Sequence, residues 1–140
     1  MLSRLVLLLS ALLCLPVFGQ TLAAPEAWAA AQAGKLTIID IRTPPEWKQT
    51  RVAQGALLID MLHPQGPAGF ENEVLRQVKG DRNAPIALIC RTGNRTGQVL
   101  RYLRSRGFNN AVHIPEGMAG SAAGPGWLAR QLPVQNCGAC

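Results

Sequence analysis

The sequence predicts an α/β fold, with a small parallel sheet covered by helices on both faces. Short apolar runs alternate along the 140-residue chain with segments of helical periodicity, as they do in chains built from β-α-β units. The run Ile86–Ile89 is apolar without interruption, which is typical of a central strand buried on both faces. Parallel sheets bind ligands beyond the carboxyl ends of their strands, and Cys90 stands at that end of this run.

The first 23 residues have the pattern of a secretory signal peptide. A charged start containing Arg4 precedes an apolar core, residues 5–18, that is too short to span a bilayer comfortably. Cys14 lies inside this core, so we expect it to be lost with the leader. Small residues allow cleavage after Gly19 or after Ala23, and an uncleaved anchor is the alternative. We therefore expect a periplasmic or secreted protein without stable membrane association after cleavage.

The rest of the chain predicts one domain, residues 24–132, followed by a tail over residues 133–140. The formal net charge is +6, but the basic residues are scattered and aromatic residues make up only 5% of the chain. This composition argues against a nucleic-acid partner and favours small anions.

The first half of the domain predicts two helices and a strand. Residues 25–34 form an Ala-rich helical segment, and residues 35–41 read as a buried strand. Thr43 and Glu46 have the spacing of a capping box, which opens a short helix carrying Trp47.

The second half continues the alternation. We predict a short strand at residues 56–59, a helix over residues 70–78 and a turn at residues 81–83. After the central strand, residues 96–106 return to helical periodicity and residues 111–114 form a last strand.

The loop between the central strand and its helix carries the candidate chemistry. Gly93 and Asn94 can take positive backbone angles that turn N–H groups inward. With a helix N-terminus and two arginines nearby, the loop should favour a thiolate at Cys90. A buried, inert cysteine is the alternative. The loop reads Cys90-Arg91-Thr92-Gly93-Asn94-Arg95.

Three stretches of the chain resemble the rhodanese-homology family. These are Asp40-Ile41-Arg42 with Glu46-Trp47, the loop that begins at Cys90, and Pro115-Glu116-Gly117-Met118. Glu116 stands where a glycine is usual, and Trp127 comes later than the family's tryptophan. These two departures concern the C-terminal wall of the expected pocket.

The resemblance implies a sulfurtransferase of the thiosulfate:cyanide type that needs no cofactor. Cys90 would take the outer sulfur of an anionic donor such as thiosulfate, hold it as a persulfide and pass it to cyanide or a thiol. The remaining loop residues would bind the donor through charge, side-chain hydrogen bonds and backbone amides: Arg91, Thr92, Gly93, Asn94 and Arg95.

Two other functions use related scaffolds. The loop is similar to that of cysteine phosphatases, in which five residues separate the cysteine from the arginine. Here only four residues separate Cys90 from Arg95, and Thr96 occupies the position of the phosphatase arginine. The sulfur chemistry is therefore preferred. The alternative within the family is a non-enzymatic or slow module that carries sulfur or binds a partner.

Three further residues are predicted to support the loop. Asp40 and Arg42 end the first strand, and Arg42 is expected to pair with Glu46 one turn later. His63 and His113 have no carboxylate or cysteine at ligand spacing, so the sequence predicts no metal site.

The tail ends in the possible redox pair Cys137 and Cys140. One interpretation is a local disulfide near a frayed chain end. The other is that one of these thiols accepts sulfur from the Cys90 persulfide or resolves it as a disulfide. A thiol-disulfide oxidoreductase would need the pair at a helix N-terminus, which a chain end after Pro133 does not offer.

Overall fold

The computed structural model describes residues 20–138 and residue 140. The predicted leader falls mostly outside this range, since residues 1–19 are not among those described. Within the described part of the chain, no helix combines the length and the apolar character needed to cross a bilayer.

Four parallel strands form the main sheet, in the order β3-β1-β4-β5. A separate antiparallel pair joins β2 to β6 near the chain's end. The strands are β1 (Thr37–Asp40), β2 (Val52–Ala53), β3 (Leu57–Leu58), β4 (Ile86–Ile89), β5 (Ala111–His113) and β6 (Val134–Gln135). The helices are α1 (Ala24–Gln32), α2 (Pro44–Thr50), α3 (Gly66–Gln77) and α4 (Asn94–Ser105).

Helices cover both faces of this sheet, as predicted. Alternate residues of a strand point to opposite faces, so Ile38 and Ala87 pack in one core with α1. Ile39 and Leu88 belong to the other core, together with the apolar residues of α3 and α4. The central strand β4 has the predicted bounds and is buried at all four positions.

Two helices begin earlier than the sequence pattern predicts. α3 starts at Gly66 rather than residue 70, since Pro67 suits a helix's first turn. α4 starts at Asn94 rather than Thr96, because the polar first turn carries no apolar periodicity to reveal it. The strands β2 and β6 are too short to leave a period-2 pattern.

The residues just before α1 extend the sheet beyond β5. Leu22 N–H donates to the His113 carbonyl at 3.0 Å, and His113 N–H donates to the Gln20 carbonyl at 3.0 Å. Leu22 is also buried in the core with α1. Residues 20–22 are therefore part of the folded domain, although the sequence pattern groups them with the leader.

Glu116 is buried and joins three segments of the chain. One carboxylate oxygen accepts the Ala24 N–H at the start of α1, at 2.8 Å. The other accepts the Gly126 N–H at 2.8 Å and Nε of Arg130 at 2.7 Å. Burial alone would raise the pKa of Glu116, but the hydrogen bonds from Arg130 and the two backbone amides outweigh it and hold the pKa below its usual value. The carboxylate thus fixes the segment that follows β5.

We expect Glu116→Gln to lower the free energy of unfolding by about 3 kcal/mol, because an amide cannot satisfy Arg130 and both backbone donors at once. Urea denaturation measures this. Glu73→Gln is the matched control, since its partner Arg76 has a side chain 70% exposed; we expect less than about 0.5 kcal/mol there. Equal stabilities of the two variants would contradict the role assigned to Glu116.

Candidate active site

Cys90 lies directly after β4, beneath the loop that leads into α4, and is only 1% exposed. Gly93 takes a left-handed conformation with φ of 88°, which turns its N–H toward the Cys90 sulfur at 3.2 Å. The positive angle predicted for Gly93 is confirmed. The one predicted for Asn94 is wrong, because Asn94 is already the first residue of α4.

The turn after β5 packs closely against this loop. Met118 N–H donates to the Cys90 carbonyl and Ala119 N–H to the Arg91 carbonyl, both at 2.9 Å. A Cβ atom at Gly117 would overlap the Arg91 carbonyl, and one at Gly93 would overlap the carbonyl of Pro115 on the turn. Both positions therefore require glycine. The third stretch of the family resemblance thus borders the loop that begins at Cys90.

A chain of polar contacts leads from the Cys90 sulfur to a histidine. The sulfur lies 3.6 Å from Oγ1 of Thr96, and that oxygen lies 2.9 Å from Nδ1 of His113. Thr96 Oγ1 is also 3.1 Å from the Gly93 carbonyl. His113 is half-buried, and this burial holds its pKa below the usual value.

Sequence reasoning missed this contact and treated His113 as isolated. The signal that would have found it is topological. The carboxyl ends of neighbouring parallel strands meet at one edge of a sheet, and His113 ends β5 next to β4.

Glu46 pairs with Arg95 rather than with Arg42. The two guanidinium nitrogens of Arg95 contact the two carboxylate oxygens at 2.8 and 2.6 Å. These hydrogen bonds, with those from Thr43, outweigh burial and lower the pKa of Glu46 to about 2. The predicted Arg42–Glu46 pair is wrong, because the fold gives each residue a closer partner of opposite charge.

Arg42 instead forms a buried ion pair with Asp40, at 2.7 Å. The same guanidinium donates to Oγ1 of Thr50 at 2.7 Å and to the Arg51 carbonyl at 2.9 Å, so it ties the end of α2 to β1. At the other end of α2, the predicted contact between Glu46 and the N–H of Thr43 is present at 3.0 Å. The supporting residues thus fix α2 at both of its ends.

A pocket of about 190 Å³ opens beside the loop. Arg91 is exposed and lines it, whereas Thr92 and Asn94 line a separate, shallow groove. Arg95 is half-buried against Glu46. The residues predicted to bind a donor therefore do not converge on one space. The pocket is lined by Arg42, Glu46, Gln49, Thr50, Arg91, Met118, Ala119 and Leu128.

The terminal cysteines, Cys137 and Cys140, are joined in a disulfide, whereas Cys90 is a free thiol. The pairing of β6 with β2 anchors the chain just before this disulfide. A redox role for the pair stays a prediction. Over residues 20–138 and 140, no group of three or more His, Cys, Asp or Glu side chains is arranged to hold a metal ion.

Comparison with known proteins agrees with this geometry. The Rhodanese-like domain family matches residues 23–123. The uncharacterized protein RP600 of Rickettsia prowazekii is 27% identical over 100 residues, which cover 70% of this chain and 81% of that protein. The thiosulfate sulfurtransferase GlpE of Pseudomonas fluorescens is 29% identical over 86 residues, covering 54% of this chain and 79% of that enzyme.

Solved structures show the same architecture. The rhodanese-like domain of the Anabaena protein Alr3790 superposes with a TM-score of 0.65 at 17% identity, covering 86% of this chain and 81% of that domain. The fold and the loop around Cys90 are those expected of this family, whose match spans most of the described residues. The chain belongs to the rhodanese-like domain family, and its relatives in that family include sulfurtransferases.

Proposed function

We propose that this protein is an exported thiosulfate-type sulfurtransferase that works through a persulfide on Cys90. The observation that carries the proposal is the Gly93 N–H donating to the Cys90 sulfur at 3.2 Å, at the start of α4. A backbone donor and a helix N-terminus at one sulfur stabilise negative charge there, on the thiolate and on the persulfide. The similarity to GlpE supports thiosulfate as the donor.

The reaction requires two displacements at sulfur. The Cys90 thiolate attacks the outer sulfur of thiosulfate, the bond between the two thiosulfate sulfurs breaks, and its electron pair leaves with sulfite. The persulfide anion on Cys90 keeps the transferred sulfur. Cyanide or an acceptor thiolate then attacks the outer persulfide sulfur, and the Cys90 thiolate is released.

Arg91 is our candidate for binding the sulfonate end of the donor. It is exposed, lines the 190 Å³ pocket and follows Cys90 directly. Arg95 is committed to Glu46 through both terminal nitrogens, so it is better suited to hold the first turn of α4 in place. Thr92, Gly93 and Asn94 line the separate groove, so they would contact a donor that binds there instead.

Persulfide formation is measured by the intact mass of the purified protein before and after thiosulfate. We expect a gain of one sulfur, about 32 Da, that is lost on adding cyanide. The Cys90→Ser variant should show no gain. Absence of a gain in the wild type, with Cys90 shown to be reduced and reactive, would reject thiosulfate as donor.

We expect Arg91→Ala to raise the KM for thiosulfate about tenfold with a smaller change in kcat, because a charged hydrogen bond to the donor is lost. Steady-state thiocyanate formation measures both constants. Arg76→Ala, on the exposed side of α3, is the matched control and should change neither. An unchanged KM in Arg91→Ala would place the sulfonate elsewhere.

The alternative is a slow sulfur carrier that meets its donor or acceptor on a partner protein. The burial of Cys90 favours it, since a thiol that is 1% exposed gives small molecules little access until the loop moves. The two functions differ in kinetics. The enzyme turns over repeatedly with thiosulfate and cyanide, whereas a carrier loads once and then releases sulfur slowly to small acceptors.

The structure also distinguishes the two candidate cleavage sites of the predicted signal peptide. Cleavage after Gly19 would keep the contacts of residues 20–22 with β5, whereas cleavage after Ala23 would remove the buried Leu22. We therefore propose cleavage after Gly19 and a periplasmic or secreted mature protein.

N-terminal sequencing of the exported protein should begin at Gln20. A chain made to start at Ala24 should unfold at a lower temperature than one that starts at Gln20, because it lacks the buried Leu22 and both hydrogen bonds to His113. Equal melting temperatures for the two chains would remove the reason for preferring the earlier site.

A further inference from the structure

We propose that His113 is a positioning residue that draws the proton from Cys90 through the hydroxyl of Thr96. We name these three side chains the Cys90–Thr96–His113 relay. The inference rests on the proposed function in so far as Cys90 is the nucleophile. In this proposal His113, which lies outside the Cys90 loop, is the proton acceptor for the thiol.

The geometry of the relay is continuous. The Cys90 sulfur lies 3.6 Å from Oγ1 of Thr96, within reach of a hydrogen bond to sulfur, and Oγ1 lies 2.9 Å from Nδ1 of His113. Thr96 is fully buried, so its hydroxyl contacts protein groups rather than bulk water. Its single proton has two acceptors within range, Nδ1 of His113 and the Gly93 carbonyl at 3.1 Å.

The fold, rather than a local motif, builds this arrangement. Cys90 follows β4, Thr96 lies in the first turn of α4, and His113 ends the neighbouring strand β5. Both backbone groups of His113 are hydrogen-bonded to residues 20–22, and the next residue, Ile114, donates its N–H to the Leu88 carbonyl of β4. The backbone that carries the ring is therefore held on both sides.

The proton transfer is balanced within the relay. A neutral His113 that carries its proton on Nε2 accepts the Thr96 hydroxyl proton at Nδ1. Thr96 Oγ1 accepts the thiol proton in the same step, so the S–H bond breaks, an N–H bond forms and the hydroxyl is restored. The products are a Cys90 thiolate and a His113 imidazolium, and the attraction between these two opposite charges across Thr96 stabilises the thiolate.

The surroundings of His113 favour its neutral, accepting form. Burial lowers its pKa, so near neutral pH the ring has a free lone pair. Two arginines of α4 lie near His113. A Cβ atom at Gly97 would lie about 4 Å from both Arg101 and His113. Arg104 donates to the Ala111 carbonyl. On the other side of β5, residues 20–22 carry no charged side chain, and cleavage after Gly19 would add the α-amino group of Gln20 there.

The test is the pH dependence of Cys90 alkylation by iodoacetamide, followed by intact mass. The reagent reacts with thiolate and needs no sulfur donor, and the disulfide protects Cys137 and Cys140. His113→Asn keeps a polar group near the position of Nδ1 but cannot take the proton. We expect it to slow alkylation about tenfold at pH 7 and to shift the half-maximal rate to higher pH, with the plateau at high pH unchanged.

The matched control is the chain's other histidine. His63→Asn should leave the alkylation profile unchanged, because His63 contacts the Gln65 N–H in the loop before α3 and lies outside the relay. A merely structural role for His113 would lower the plateau as well as the rate at pH 7. An unchanged midpoint in His113→Asn would overturn the relay.

Thr96 supplies a second, independent test. Thr96→Ser keeps the hydroxyl and should keep the wild-type midpoint, whereas Thr96→Val should shift it as His113→Asn does. The double variant should then be no slower than either single one, since both break the same path. Additive effects would overturn the relay. Should Thr96→Val fail to fold, the comparison of Thr96→Ser with His113→Asn still decides.

Because alkylation and persulfide formation are separate readouts, the two hypotheses fail separately. A shifted alkylation profile without a mass gain from thiosulfate would support the relay and reject the donor. A mass gain with an unshifted profile would support the persulfide and reject the relay.

Discussion

The close packing of two loops at the carboxyl edge of the sheet is the constraint on which the site depends. The loop after β4 and the turn after β5 approach so closely that neither Gly93 nor Gly117 has room for a Cβ atom. This contact lets Met118 hold the Cys90 carbonyl while the Gly93 N–H reaches the sulfur. Glu116 fixes the turn from behind, so the carboxylate that departs from the family pattern serves the same loop contact.

Two arginine–carboxylate pairs neutralise most of the positive charge expected at the site. Arg42 is satisfied by Asp40, and Arg95 by Glu46, so neither guanidinium is free for a ligand as the structure stands. Arg91 is the exposed cation of the loop itself. Positive potential at the sulfur therefore depends on Arg91, on backbone amides and on the start of α4 rather than on a ring of cations.

Local sequence patterns predicted the fold class and part of the site. The apolar run of β4, the capping-box spacing of Thr43 and Glu46, and the turn glycine Gly93 each depend on neighbouring residues, so they can be read from the chain. Pairing partners cannot be read in this way. Glu46 had a nearby arginine four residues earlier, but the fold brings it one that is 49 residues away.

The outer strand β5 has a consequence for how copies of this chain meet one another. Exposed strand edges invite pairing with other molecules, and edge-to-edge pairing of this kind leads to aggregation. Residues 20–22 pair with the edge strand β5 through their hydrogen bonds to His113, and the opposite edge is β3, which is only two residues long. The sheet thus offers another chain little continuous backbone to join, and its two edges act against self-association.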